Sequence, residues 1–207
     1  MPKDSSFIAT QGPLDTTIDD FLHMVHQYKI NLIIMLCKLE ENKKIKWSNY
    51  WDNANTHDFT LKYENEEFQI LDGITLRNVR FYQENNKLFP TTFIQLHYTC
   101  WEDHSAPNID SYKKIIDLIK QIEVYKNNRP VIVHCSAGVG RSGTFISLYN
   151  LYHIIMNQIN DVNTKEIKFS IMDIVRQLKE MRLRLVENEK QYLYLYQFVN
   201  ILLNENN

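Results

Sequence analysis

Cys135 and Arg141, six positions apart, are the two residues of this chain best suited to covalent chemistry on an anion. A thiolate is a strong nucleophile. A guanidinium fork can hold two oxygens of a phosphate and stabilise the charge that builds on them during transfer, which a lysine does less well. The neighbouring residues supply what such chemistry needs. Val131, Ile132 and Val133 follow Pro130 and favour a buried strand. Ser136, Ala137, Gly138, Val139 and Gly140 then form a loop whose two glycines permit torsions that point successive N–H groups into one hollow. From Arg141, Ser142 and Gly143 an apolar helical pattern begins, at Phe145, Leu148, Leu151, Tyr152 and Ile155. The N-terminus of that helix turns free N–H groups and its positive dipole end toward the hollow. A phosphate is stabilised there, and Cys135 is expected to serve there as a thiolate nucleophile.

These elements have to be positioned by a core. A chain of 207 residues with 44% apolar residues can bury one sizeable core, so residues 1–207 are expected to form a single domain. A net charge of −2 argues against a nucleic-acid partner. No apolar run reaches the length of a membrane span and Met1-Pro2-Lys3-Asp4 lacks a signal-peptide core, which points to a soluble, intracellular, cytoplasmic chain. Cys37, Cys100 and Cys135 fit that compartment. Odd in number and without C-x-x-C spacing, they indicate neither a disulfide framework nor a zinc site, and no metal is expected. The oligomeric state stays open.

Periodicity predicts an extended piece over Phe7–Pro13 and a helix from Asp15 to Lys29 with Ile18, Phe21, Leu22, Val25 and Tyr28 on its apolar face. A buried strand follows over Asn31–Cys37, with Cys37 as a packing residue, and then a charged hairpin from Glu40 to Trp51. Strands are predicted at Phe59–Tyr63, Phe68–Leu71, Ile74–Tyr82 and Thr92–Thr99, with a turn at Asn85-Asn86. Helices are expected from Asn108 to Lys126 (through Tyr125), from Ser170 to Met181, and from Glu189 to Leu203 with Tyr192, Leu195, Tyr196, Val199 and Leu202 facing inward. A helix feeding a strand and then a helix puts the Cys135 loop at the carboxyl end of a sheet strand, where α/β folds place ligand sites.

Residues 134–143, HCSAGVGRSG, resemble the signature loop of the tyrosine-specific protein phosphatases. Nearly all of the chain shares the resemblance: Phe7–Pro13 is similar to the family's FIAAQGP, Gln95–Pro107 to its QFHYTxWPDHGxP, and Val186–Tyr192 to its VQTxxQY. The resemblance implies an α/β fold, a twisted mixed β-sheet flanked by helices on both faces. It implies hydrolysis of phosphotyrosine in proteins through a phosphocysteine, without a cofactor, the partners being phosphotyrosine-containing proteins. Cys135 would be the nucleophile, and Arg141 with the loop N–H groups from Ser136 to Gly140 would hold phosphate. Asp103, on a mobile loop anchored by Trp101, would protonate the leaving group. Ser142 would assist release of the thiolate. His134 matches the histidine before the nucleophile, Glu41 the glutamate that orients the arginine, Lys46 a lysine of the hairpin, and Gln191 the second glutamine.

The departures carry their own expectations. Glu102 stands for a proline and Ser105 for a glycine, so the acid loop loses one fixed φ and one permissive hinge and gains a negative charge; slower or less complete closure is expected. Glu187 stands for the glutamine that positions the hydrolytic water, and a few residues including a glycine are missing upstream. Family catalytic domains begin several dozen residues earlier, so the chain is expected to be a fragment or a shortened relative lacking that N-terminal portion. Two other functions suit the same loop. A pseudophosphatase would bind phosphotyrosine proteins with little turnover, as Glu102 and Glu187 suggest, and a sulfur-transfer enzyme would use the acidic cysteine, against which Asp103 speaks.

Overall fold

The computed structural model describes residues 6–51, 56–83, 86–123 and 129–206. Strand β1 (Phe7–Gln11) leads through a single 3-10 turn into helix α1 (Ile18–Gln27) and strand β2 (Leu32–Met35). A small hairpin, β3 (Glu40–Glu41) and β4 (Lys44–Ile45), precedes three long strands, β5 (Phe59–Leu71), β6 (Ile74–Gln83) and β7 (Asn86–Tyr98). Then come α2 (Ile109–Glu123), β8 (Val131–Cys135), α3 (Gly140–Ile159), α4 (Ile171–Met181) and α5 (Glu189–Glu205).

Among the described residues the main sheet has the order β1-β8-β2-β7-β6-β5. The pairs β1–β8, β8–β2 and β2–β7 are parallel, while β7–β6 and β6–β5 are antiparallel. The short central strands β2 and β8 are buried at every position. Continuous apolar runs suit strands covered on both faces, which is why Leu32-Ile-Ile-Met35 and Val131-Ile-Val133 lack the alternation of a half-exposed strand.

Side chains alternate across β8, so its two faces meet different helices. On one face His134 packs against Phe21 of α1 and against Tyr50, with ring centroids 6.0 and 5.6 Å apart. On the other lies α3, buried all round from Gly140 to Leu151 because α2, α4 and α5 pack about it. Tyr112 of α2 sets its ring 5.4 Å from Phe145 of α3 and equally far from Phe198 of α5, and its hydroxyl donates to the Phe145 carbonyl. Phe7 of β1 meets Tyr149 edge-on at 4.9 Å.

Several boundaries differ from the sequence reading. On α5 the buried face is Gln191, Tyr194, Leu195, Phe198, Val199 and Leu202. Tyr196 is 48% exposed, and its hydroxyl lies 3.2 Å from that of Tyr192 at the surface. Tyr192 is partly buried against the core as an apolar count predicts, whereas Tyr196 faces water and the amide of Gln191 is buried by its hydrogen bonds. Tyr28 falls beyond the end of α1 and is exposed. β2 is shorter than Asn31–Cys37, β7 starts at Asn86, and β5 runs from Phe59 to Leu71 with a shift of register between Tyr63 and Glu67 rather than breaking into two strands. The predicted positions at Asn85, Tyr125 and Lys126 lie outside the described residues.

Candidate active site

Between the end of β8 at Cys135 and the start of α3 at Gly140 the chain makes one tight loop. Gly138 takes φ +70, and a Cβ there would lie 2.1 Å from the Thr10 carbonyl oxygen, so both the torsion and the space exclude a side chain. Gly140 has a different role from the one its sequence position suggests. It is the first helical residue, and its bare Cα leaves room for the side chains of Gln191 and Glu187, which a Cβ would approach to 3.0 and 3.2 Å. At Gly143 a Cβ would meet the Val186 nitrogen at 2.4 Å, because the segment before α5 lies directly on the first turn of α3.

One arginine fixes the loop from outside. Arg182, just past α4, donates from Nε to the Gly138 carbonyl at 3.0 Å and from a terminal nitrogen to the Ala137 carbonyl at 3.2 Å. In a planar trans peptide the C=O and N–H point opposite ways, so drawing these carbonyls outward turns the N–H groups of Gly138 and Val139 toward the hollow. Nothing in the motif marks Arg182. The basic run Arg182-Leu183-Arg184 was its one visible signal.

Arg141 lies almost wholly buried at the back of the hollow, and Glu41 on β3 grips it two-pronged, at 2.6 and 2.9 Å. Burial alone would lower its pKa, but the hydrogen bonds and charge of Glu41 together with the nearby thiols Cys37 and Cys135 push it up, so it remains a cation. The hairpin expected to orient the arginine does so through Glu41, not its neighbour Glu40. The Ser142 hydroxyl, buried in the first turn of α3, has no hydrogen-bond partner among the described residues.

Beneath the loop a polar chain crosses the sheet. His134 sets Nδ1 3.2 Å from the Cys135 carbonyl and Nε2 2.8 Å from the Tyr50 hydroxyl. Tyr50 accepts from Gln95 at 3.0 Å, Gln95 accepts from Arg77 at 3.0 Å, and Arg77 pairs with Glu67 at 2.9 Å. Burial lowers the pKa of His134 to about 4, so the ring is neutral near pH 7, its Nδ1–H donating to the carbonyl and its Nε2 accepting from Tyr50. Cys37 lies next to this chain, fully buried. Burial pushes its thiol up to about 12 against the opposing charge of Arg141, so it packs rather than reacts, as the sequence reading holds.

Asp103 closes the mouth. Its Oδ2 is 2.9 Å from Lys46 Nζ and its Oδ1 3.3 Å from Arg141. Burial would raise its pKa, but the Lys46 hydrogen bond and the charges of Arg141 and Lys46 outweigh that and hold the carboxyl below its ordinary value. Trp101, 1% exposed, donates Nε1–H to the Ser105 carbonyl at 2.9 Å, and its own carbonyl accepts from Arg141 at 3.0 Å. The loop expected to close incompletely is docked here. In place of proline and glycine it is closed by a turn in which the Ser105 hydroxyl and N–H both donate to the Glu102 carbonyl, with His104 at φ +58.

On the opposite rim the Glu187 N–H donates to Gln191 Oε1 at 3.0 Å, and Glu187 Oε1 accepts from Arg184 at 2.5 Å. Arg184 and Val186 take φ +67 and +59. Both are side-chain-bearing residues in the left-handed region.

Similarity to known proteins follows the same pattern. A family model described as protein-tyrosine phosphatase matches residues 1–200. The chain is 34% identical over 197 residues to human tyrosine-protein phosphatase non-receptor type 20, covering 93% of this chain and 44% of the relative. It is 34% identical over 206 residues to tyrosine-protein phosphatase 3 of Dictyostelium discoideum, covering 96% and 20%. It thus spans less than half the length of these two relatives. Among solved structures, the catalytic domain of human protein tyrosine phosphatase non-receptor type 18 superposes with a TM-score of 0.83 at 27% identity, covering 95% of this chain and 69% of that one. That phosphatase is also known in complex with HER2 phosphopeptides. The family match takes in the hairpin, the acid loop and the rim as well as the Cys135 loop, and on that breadth the chain belongs to the protein-tyrosine phosphatase family.

Proposed function

We propose that this chain hydrolyses phosphotyrosine in proteins in two steps through a phosphocysteine at Cys135. The observation that carries the reading is the convergence of Cys135, a guanidinium clamped by Glu41 and the Asp103 carboxyl on one mouth. An incoming phosphoryl dianion takes the Arg141 fork and displaces Asp103 from it. The dianion's charge next to Asp103 favours the protonated acid. Cys135 Sγ then attacks phosphorus, the P–O bond to the ring breaks, and Asp103 gives its proton to the departing phenolate. Ser142 donates to the thiolate that the second step regenerates. Residues 1–207 act as one catalytic unit on phosphotyrosine-containing proteins in the cytoplasm. Three unpaired cysteines favour that compartment, and no helix among the described residues is long and apolar enough to cross a membrane.

A second reading is a phosphotyrosine-binding protein with slow turnover. It is favoured by Asp103 being held as a carboxylate between Lys46 and Arg141. Phosphate release from a phosphotyrosyl peptide separates the two. Hydrolysis by the unaltered chain, abolished in Cys135→Ser while vanadate still binds the backbone cradle, is the expected result. Hydrolysis unchanged in Cys135→Ser overturns the mechanism. Tight peptide binding without phosphate release supports the second reading.

A further inference from the structure

Arg77 on β6 begins the polar chain that ends at the Cys135 carbonyl, and it differs from Gln95, Tyr50 and His134 in being unable to accept a hydrogen bond. Its guanidinium is held at three places. One terminal nitrogen pairs with Glu67 at 2.9 Å, the group lies 5.1 Å over the Trp51 ring, and the other terminal nitrogen donates to Gln95 Oε1 at 3.0 Å and to His97 Nδ1 at 3.2 Å. Gln95, Tyr50 and His134 have no exposed surface, so bulk water supplies no proton there. Each of these three can run its hydrogen bonds either way round: an amide by turning over, a phenol by rotating its proton, a neutral imidazole by changing tautomer. The carbonyl at the far end only accepts, but at 3.2 Å its contact with His134 is the longest of the four links, the others being 3.0, 3.0 and 2.8 Å.

We propose that Arg77 is a positioning residue that sets the tautomers of both buried histidines and, through His134, the geometry of the Cys135 cradle. A donor-only group facing Gln95 draws the amide oxygen to itself and leaves Nε2–H for the Tyr50 oxygen. Tyr50, accepting there, turns its one proton to His134 Nε2, and burial keeps that proton on the phenol by pushing its pKa up. The His134 ring is neutral, so its own proton stands on Nδ1 and goes to the Cys135 carbonyl. At His97 the same guanidinium gives the opposite result. There Nδ1 accepts from Arg77, so the proton stands on Nε2 and is donated to the Cys37 carbonyl at 2.9 Å. Without the guanidinium the Gln95 amide is free to turn over, Tyr50 to donate to it, and His134 to carry its proton on Nε2. Nδ1 would then face the Cys135 carbonyl lone pair to lone pair. In a planar trans peptide, a Cys135 carbonyl drawn toward His134 points the Ser136 N–H the opposite way, toward the hollow, so the cradle keeps this donor only in the Nδ1–H tautomer. The consequence for turnover rests on the reading of Cys135 as the nucleophile.

The test uses the full chain with histidine isotope-labelled at its ring nitrogens. Their chemical shifts near neutral pH report which nitrogen carries the proton, and the signals of His134 and His97 are those lost in His134→Gln and His97→Gln. The unaltered chain should show His134 as Nδ1–H and His97 as Nε2–H. In Arg77→Met about half or more of His134 should pass to Nε2–H. Gln95→Glu reverses the order with Arg77 in place: a carboxylate beside a guanidinium only accepts, so Tyr50 turns its proton to it and His134 is forced to Nε2–H. Vanadate affinity should fall by about tenfold to a hundredfold in both variants, the loss of one hydrogen bond to an anion. Full Nδ1–H at His134 in either variant, or vanadate affinity unchanged after the switch, overturns the proposal. Should Arg77→Met not fold, Gln95→Glu decides alone. Absence of phosphate release by the unaltered chain overturns the phosphatase reading instead and leaves the tautomer assignment standing.

Discussion

The loop from Trp101 to Pro107 and the segment from Arg182 to Asn188 reach the same mouth, each with one carboxylate, and they are held there by opposite means. The first hangs from a buried ring. Trp101 packs against Tyr98 and hydrogen-bonds within its own loop, and Arg141 ties the loop to the cradle. The second is fixed by backbone. Val186 donates its N–H to the Val139 carbonyl, Gly143 presses on the Val186 nitrogen, and Arg182 holds the cradle carbonyls. A loop docked through side-chain charges can lift when a phosphoryl group takes its partner. A segment joined to the cradle by its main chain cannot. The acid is therefore gated by substrate, whereas the rim carboxylate is a permanent part of the site.

The largest expected effect breaks the comparison at the gated side. If Asp103 protonates the leaving group, Asp103→Asn should cost about 10² to 10⁴ in turnover of a phosphotyrosyl peptide and little with p-nitrophenyl phosphate, whose phenol needs no proton. Pre-steady-state release of the two phenols measures this. Equal losses on both substrates would mean that Asp103 serves binding, and the loop would then be a second wall rather than a gate.

The next effect concerns the floor beneath both loops. His97 and His134 are buried and neutral, each with a pKa that burial lowers to about 4 against an ordinary 6.5. The unfolded chain binds these protons first as pH falls, so the stability they lend is whole above about 6.5 and is lost progressively down to about 4, at up to roughly 3 kcal/mol for each ring. Thermal melts between pH 7 and pH 4 should drop accordingly, and less steeply in His134→Gln. A melting temperature that does not change over that range would put charged imidazoles in the core and undo the polar chain from Glu67 to Cys135.

The gated half was much easier to read from sequence than the permanent one. The chemistry of Cys135, Arg141 and Asp103 sits in local runs, and β8 with its glycine loop follows from β-branched residues and from Gly138, which no other residue could replace. The Glu41 clamp on Arg141 could be expected only through the family resemblance, because Glu40 and Glu41 differ only in which face of a two-residue strand they occupy. Arg182 could not be found, since its partners are carbonyls 44 and 45 residues away and a backbone acceptor leaves no trace in residue type. The inward face of α5 failed for a related reason: Gln191 is buried by its hydrogen bonds, and an apolar count passes over it.

The smallest effect tests the permanent side, at Arg184. A left-handed torsion costs a side-chain-bearing residue about 1 kcal/mol or more, which Arg184→Gly relieves. Against that stand the flexibility glycine gives the unfolded chain, about 0.4 to 1 kcal/mol, and an exposed ion pair to Glu187 worth about 0 to 1 kcal/mol. The terms nearly cancel, so stability in urea should move by no more than about 1 kcal/mol in either direction. Catalysis should respond differently. Glu187 stands at the place of the family's water-positioning glutamine. Without Arg184 its Oε1 loses its tether and the carboxylate samples more rotamers, so phosphocysteine decay should slow by up to about tenfold while the first phenol from p-nitrophenyl phosphate is released as before. A loss of several kcal/mol in stability would mean that Arg184 holds the segment itself, and the main-chain contacts of Val186 and Gly143 would no longer account for its permanence.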